Sequence, residues 1–371
     1  MKKKVLQLIG SFHQGGSERQ AIALTRLLVD DGGFDVFAAA LNKNGFLLSE
    51  AEAIGLREIP EFPITSFFTI EFANQVRKLA RYLVENKIDI IHTHDFYTNV
   101  FGMAAAALAR THSRITSKRE TSGMRTSAQE TVERLAFRRS DAVVANSSAV
   151  REFLLNRGVP PEKVHVIHNG VDLSRFGGSD SIRSRSSLGL GPGRFITLVA
   201  NLRHPVKNIP MFLRVARRIS DQWNDVRFVI AGEGELAPEL SLMAKELGVH
   251  VRVDFLGRCS DVPALLASSY ACVLTSNAEG FSNSILEYMA AGRPVVATSV
   301  GGAAEAITRD TGFLVAPDDD AAMADCLQQL LADEMRAARM GIGGQERVKM
   351  EFSLERQIEH TVELYDQLSS Q

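Results

Sequence analysis

The sequence predicts an α/β protein of two doubly wound, Rossmann-like domains facing each other across a cleft, and three observations carry that prediction. The chain has 371 residues, enough for two sizeable cores at about 150 residues per domain. Short β-branched runs alternate with stretches of helical period, the pattern of parallel strands joined by crossovers that cover the sheet faces. A stretch rich in Gly, Ser, Arg and Pro, residues 176–194, lacks periodicity and separates two such series as a linker.

In the first series the strand runs are 4–9, 34–41, 56–59, 88–92, 115–118, 142–145 and 164–167, with helical patterns at 18–28, 72–84 and 148–156. In the second they are 195–200, 226–231, 251–256, 270–275, 295–298 and 313–315. The domains then read as residues 1–175 and 176–352. A last helix within 353–371 either closes the second domain or reaches back to the first. Ligands of open parallel sheets bind outside the carboxyl ends of the strands, so the chemistry belongs in the loops that follow strands.

Composition narrows the function. Hydrophobic residues at 45% and charged residues at 23% are globular averages, which excludes a disordered polyelectrolyte or a fibrous repeat. A net charge of -2 is not the footprint of a nucleic-acid binder. The halves differ, however: Met1 to Gly170 carries 22 basic and 18 acidic residues, and Val171 to Gln371 carries 20 and 26. Cys259, Cys272 and Cys326 form no Cys-x-x-Cys pair, so neither a disulfide framework nor a zinc knuckle is indicated and a cytoplasmic protein is expected. The longest apolar stretch, residues 101–109, falls short of the ~18 residues that a membrane span needs. The segment Arg110 to Arg139 has eight basic against three acidic residues, a solvated face by default and otherwise a peripheral contact with anionic membrane.

Several post-strand loops carry candidate chemistry. Gly10-Ser-Phe-His-Gln-Gly-Gly-Ser-Glu leads from the first strand into a helix for which Ser17 is the expected cap. Its glycines and helix start suit a phosphate or a tight turn equally, and the dinucleotide fingerprint is absent. Ile88-Asp-Ile-Ile-His-Thr-His-Asp places His92 and His94 two apart on a strand end. Further metal ligands at fixed offsets do not follow, so a histidine that positions a sugar or a hydroxyl fits better than zinc. Arg203 and Lys207 lie on the loop after the first strand of the second domain, where two cations could hold a diphosphate. Gly232-Glu-Gly-Glu and Gly257-Arg258 give glycine close approach to a flat base. In Glu279-Gly-Phe-Ser-Asn-Ser-Ile-Leu-Glu, Glu279 precedes a helix start at Phe281 to Asn283 and Glu287 lies a turn inside it. Pro317-Asp-Asp-Asp reads as a helix cap rather than a metal-binding Asp-x-Asp.

In this order and spacing, the motifs resemble the retaining glycosyltransferases of family 4, which have the two-lobed GT-B fold. The resemblance runs from Gly15-Gly-Ser-Glu through His94-Asp95, Asn169-Gly-Val-Asp, Arg203 with Lys207, and Gly232-Glu-Gly-Glu to residues 279–298. It implies that Gly16 contacts a donor diphosphate neutralised by Arg203 and Lys207, with His94 beside the transferred sugar. It also implies that Glu279 touches the sugar hydroxyls, that Phe281, Ser282 and Asn283 give main-chain contacts, that Glu287 binds the ribose, and that Gly257 and Arg258 lie along the base. Preorganised cations and helix N–H groups stabilise a leaving diphosphate, so no metal and no cofactor are expected. The expected donor is a UDP-sugar, with GDP-mannose second. The unit moved is a hexosyl or N-acetylhexosaminyl group, and the acceptor a hydroxyl of a glycan or lipid-linked precursor in cell-envelope or exopolysaccharide synthesis. The competing readings are a nucleotide-sugar 2-epimerase of the same fold and a non-catalytic nucleotide-sugar sensor.

Overall fold

The computed structural model describes residues 2–13, 15–56, 58–67, 69–121, 125–176 and 188–370. Residues 177–187 of the expected linker and 122–124 of the basic segment lie outside the described residues. The chain forms two units, Met1–Asn169 with Leu354–Gln371, and Gly170–Ser353. The division falls at Asn169, ahead of the expected boundary at residue 175, because Val171 already pairs with Ser353 of its own unit.

The first unit holds a six-stranded parallel sheet of β1 (Lys3–Ile9), β2 (Phe34–Ala40), β3 (Ile90–Thr93), β4 (Ser113–Lys118), β5 (Ala142–Ala145) and β6 (Val164–Val166), in the order β2-β1-β3-β4-β5-β6. Register is in step across β1, where Leu6 faces Phe37 of β2 and Ile91 of β3. Of the expected strand at 56–59, residue 57 lies outside the described residues, and residues 56, 58 and 59 form no strand. Next to it the chain makes an isolated bridge between Ala40 and Glu61, and the prolines at 60 and 63 lack the N–H donors that a continuous ladder needs. Helices α1 (Gly16–Asp31), α2 (Leu48–Glu52), α3 (Ile70–Asn86), α4 (Phe96–Ala109), α5 (Ser127–Arg139) and α6 (Ser148–Asn156) connect the strands. The cap of α1 is Gly15 in extended conformation, not Ser17, which sits inside the first turn.

The second unit repeats the plan with β7 (Arg194–Val199), β8 (Val226–Ala231), β9 (Val253–Gly257), β10 (Ala271–Leu274), β11 (Val295–Thr298) and β12 (Gly312–Val315), in the order β12-β11-β10-β7-β8-β9. Its helices are α7 (Ile209–Ser220), α8 (Ala237–Glu246), α9 (Val262–Ser268), α10 (Asn283–Ala290), α11 (Ala303–Ala306), α12 (Asp320–Ala332) and α13 (Glu334–Glu351). Phe195, Ile196, Phe228, Val229 and Val273 are fully buried on the central strands, with Phe212 of α7 edge-on to Phe228 at 5.8 Å. The aspartates after Pro317 act as expected of a cap. Asp319 Oδ1 accepts from Ala322 N at 2.9 Å, while Asp320 pairs with Arg214 and Arg218 on α7.

The final helix, α14 (Leu354–Ser369), belongs to the first unit. Gln357, Thr361, Leu364, Tyr365 and Leu368 recur at helical spacing and form its buried face. Leu364, Tyr365 and Leu368 share a core with Val5, Leu24, Leu28, Phe34, Ile90 and Ile115. No helix among the described residues is long and apolar enough to cross a membrane.

Glycine is required where loops of the second unit touch. Gly232 has φ 152°, and a Cβ there would stand 1.8 Å from the carbonyl oxygen of Ala200. Gly232→Ala must therefore push the ends of β7 and β8 apart, an overpacking cost of about 1–3 kcal/mol. We expect a lower thermal midpoint for that variant and little change for Gly191→Ala, whose Cβ meets open space; equal midpoints would refute the constraint.

Candidate active site

Each sheet reverses its winding at one point, and the candidate residues gather there. In the first unit the reversal lies between β1 and β3, so the loop after Ile9 and the residues after Thr93 converge. A cavity of about 430 Å³ opens among Gly10, Ser11, Glu18, His94, Asp95 and Arg119. Gly10 is needed there, since a Cβ would stand 2.4 Å from Asp95 Oδ2. Asp95 caps α4, accepting from Tyr97 N at 2.8 Å and Thr98 N at 3.0 Å, while Thr98 Oγ1 accepts from Asp95 N. The exposed Gly16 opens α1 beside the cavity-lining Ser17 and Glu18.

His92 and His94 lie on the same side of the strand end with rings stacked at 4.5 Å. His92 Nδ1 is 2.7 Å from Tyr365 Oη and its Nε2 is 2.8 Å from Ser117 Oγ. His94 Nε2 is 2.7 Å from Gln7 Oε1, and its Nδ1 faces Arg119 Nη2 at 3.5 Å. Burial pushes the His92 pKa down to about 3, with the Arg119 charge adding to it. Burial also holds His94 well below its ordinary value, helped by His92 and Arg119. Both rings are thus neutral near pH 7. Burial lowers Arg119 to about 10 against the opposing pull of Glu18 and Asp95, and raises both of those carboxyls. Arg119 Nη1 donates to Asn169 Oδ1 at 2.7 Å, while its buried Nε has no partner among the described residues.

In the second unit the reversal lies between β7 and β10. Lys207, on the loop after β7, meets Glu279, on the loop after β10, with Nζ to Oε1 at 2.6 Å. Ser276 Oγ donates to the same oxygen at 2.7 Å. The two loops are tied by Asn277 N to Val206 O at 2.8 Å and Thr275 Oγ1 to Lys207 O at 2.8 Å. From the side, Gly302 N donates to Gly280 O at 2.7 Å, and Gly301 at φ 53° packs where a Cβ would stand 2.4 Å from Glu279 O. The lysine-carboxylate pair is therefore held by main chain on three sides.

Helix α10 begins just beyond. Ser282 is its N-cap and makes no side-chain cap bond, Asn283 opens the helix, and Glu287 lies one turn in, partly buried. The Phe281 side chain is core, tilted against Phe352 at 5.3 Å, so its contribution to a ligand is confined to main chain. Gly257 ends β9 at φ 63° with open space at its Cβ position, and its carbonyl accepts from Gly232 N at 2.8 Å. Arg258 follows it on the surface. Arg203 is 54% exposed and pairs loosely with Glu233 at 3.9 Å. The structure thus joins Lys207 to Glu279 and leaves Arg203 exposed on the same loop. Gly16 and His94 belong to the other unit.

Sequence reasoning gave no role to Gln7, Glu18, Asp95, Arg119, Ser276 or Tyr365. Asp95 followed by Thr98 is a readable capping signal. Arg119 and Tyr365 carry none, because their partners lie 25 to 358 residues away. The basic segment is partly consumed internally: Lys118 pairs with buried Glu133 at 2.8 Å, Arg125 with Glu120 at 3.0 Å and Arg114 with Asp141 at 2.9 Å. Arg110, Arg134, Arg138 and Arg139 remain exposed.

Between pH 6.5 and about 3 the unfolded chain holds a proton on His92 that the folded chain lacks. Falling pH therefore favours the unfolded state, at up to ~1.4 kcal/mol per pH unit for this group, and stability is full above 6.5. Denaturant titrations from about pH 4.5 to 7.5 should show the His92→Gln variant losing stability with acid less steeply, by about one proton. An unchanged slope would contradict a buried neutral His92.

Two family profiles match this chain, "Glycosyltransferase Family 4" over residues 14–175 and "Glycosyl transferases group 1" over residues 193–333. A D-inositol 3-phosphate glycosyltransferase of Nocardia farcinica is 31% identical over 58% of this chain and 50% of its own length. The lipopolysaccharide core biosynthesis mannosyltransferase LpsB of Rhizobium meliloti is 29% identical over 62% of this chain and 67% of its own. The chain thus spans half the length of the first relative. Among solved structures, Anabaena HepE in complex with UDP superposes with a TM-score of 0.86 at 23% identity, covering 100% of both chains.

Proposed function

Because this chain belongs to glycosyltransferase family 4 and has the GT-B type of fold, we propose that it transfers a hexosyl or N-acetylhexosaminyl unit from a nucleotide-diphosphate sugar to a hydroxyl acceptor. The observation that carries this reading is the Lys207–Glu279 pair at the winding reversal of the second unit, next to the start of α10. A donor diphosphate beside that helix start meets the N–H groups of its first turn and the positive end of the helix dipole. Lys207 supplies the full positive charge that the leaving diphosphate needs as its glycosidic bond breaks. Glu279 orients Lys207 and accepts hydrogen bonds from sugar hydroxyls, and Glu287 is placed for the ribose.

The donor proposed is a UDP-sugar, in keeping with the UDP complex of HepE, with GDP-mannose second. Transfer proceeds with retention, the leaving phosphate taking the acceptor proton on the same face, and without a metal. Gly16 and Arg203 supplement the diphosphate contacts, Phe281, Ser282 and Asn283 give main-chain contacts, Gly257 and Arg258 flank the base, and His94 lies beside the sugar. The acceptor proposed is a glycan or lipid-linked precursor, and Arg110, Arg134, Arg138 and Arg139 are the exposed cations available to an anionic membrane surface.

A thermal-shift panel of UDP, GDP, ADP and their sugars should single out UDP, and radiolabelled transfer to candidate acceptors then reads turnover. Lys207→Ala and Glu279→Ala should each lower transfer about 100- to 1,000-fold with the fold intact, and near-normal turnover in either would remove the assignment. Wild-type activity is expected to persist in excess chelator; its loss, restored by a divalent cation, would overturn the metal-independent mechanism.

A further inference from the structure

A single polarised chain of hydrogen bonds crosses the first unit from the cavity to the C-terminal helix. It runs Arg119, His94, Gln7, Tyr365, His92, Ser117, with successive separations of 3.5, 2.7, 3.0, 2.7 and 2.8 Å. Its direction can be followed from the cavity end, where the link is longest at 3.5 Å. A guanidinium has donors only, so His94 Nδ1 facing it presents a lone pair and the ring proton resides on Nε2. Nε2–H donates to Gln7 Oε1, which turns the Gln7 amide nitrogen toward Tyr365 Oη. The phenol oxygen accepts from Gln7 and gives its own proton to His92 Nδ1, and His92 Nε2–H donates to Ser117 Oγ. Between His94 and the phenol the order is forced, because flipping the Gln7 amide alone would set its N–H against His94 Nε2–H.

We propose that Tyr365, on the C-terminal helix, is a positioning residue that fixes His94 in the Nε2-protonated tautomer through Gln7, so that an uncharged acceptor, Nδ1, is presented to the cavity. Tyr365 is 0% exposed, and so is Gln7. Phe34 meets the Tyr365 ring edge-on at 5.5 Å and Leu364 and Leu368 share its core, so the phenol oxygen is held in place by packing. Without that oxygen, the Gln7 amide loses its acceptor. The amide then has no partner at that end in either orientation and is free to offer N–H to His94, leaving only the 3.5 Å contact with Arg119 to hold the ring proton on Nε2. The consequence for chemistry is selective. The one lone pair of His94 Nδ1 accepts from a donating hydroxyl that displaces the long contact with Arg119, and the tautomer decides whether that hydrogen bond exists. This last step rests on the proposed transfer reaction; the tautomer assignment does not.

Nitrogen-15 spectra of histidine-labelled protein test the assignment directly. In wild type His94 should read as protonated at Nε2 and unprotonated at Nδ1, and in Tyr365→Phe as a mixture or as the Nδ1-protonated form. Gln7→Leu, which breaks the relay with the tyrosine packing untouched, should do the same and serves if Tyr365→Phe does not fold. An Nε2-protonated His94 in the folded variants, or an Nδ1-protonated His94 in wild type, would overturn the proposal. Where wild-type transfer is measurable, Tyr365→Phe should lower kcat roughly tenfold, the worth of one hydrogen bond in the transition state. Unchanged kcat alongside a shifted tautomer would overturn the proposed role in turnover. Absence of transfer by wild type with every donor would instead defeat the transfer reading and leave the spectra to decide the tautomer.

Discussion

The polarity of a parallel sheet governs everything functional in this molecule. All six strands of each unit run the same way, so every loop leaving a strand emerges on one edge. Where successive strands pass to opposite sides of the first, two such loops are left with no crossover between them. In the first unit that gap lies between β1 and β3 and carries Gly10, His94 and Asp95; in the second it lies between β7 and β10 and carries Lys207 and Glu279. The same rule produces both sites from unrelated residues.

What fills each gap differs in kind. The second unit uses a short ion pair whose backbone is tied by main-chain bonds, with the start of α10 next to it, an arrangement suited to an anion. The first unit buries neutral imidazoles, one arginine and two carboxyls raised by burial. Burial there makes protonation costly, so the histidines serve as fixed hydrogen-bonding groups and carry no charge of their own.

Close approach of backbones is the second constraint. Gly232, Gly234 and Gly301 lie where any Cβ would overlap a neighbouring loop, at 1.8, 2.2 and 2.4 Å. The Gly-Glu-Gly-Glu and Val-Gly-Gly sequences thus serve the loops around the site, holding Leu202, Glu233, Gly257 and Glu279 in place. For Gly-Glu-Gly-Glu, close approach to a base is not needed to explain why glycine stands there.

The sequence by itself determined the alternation of strand and helix, the strands that the structure forms, with an extra one expected at 56–59, and the loops that bear the candidate residues. It did so because period, turn residues and caps are local properties of the chain. Legible too was the helix within 353–371, but not its allegiance: only packing of Leu364, Tyr365 and Leu368 against β1 and β3 assigns it to the first unit. Tertiary structure alone decided that Arg203 stays exposed while Lys207 turns to Glu279, that Lys118 is spent on Glu133, and that His94 connects to Tyr365 through Gln7. Each of those outcomes depends on a distance between side chains remote in sequence and on which of them must share its protons, and neither is written in any local pattern.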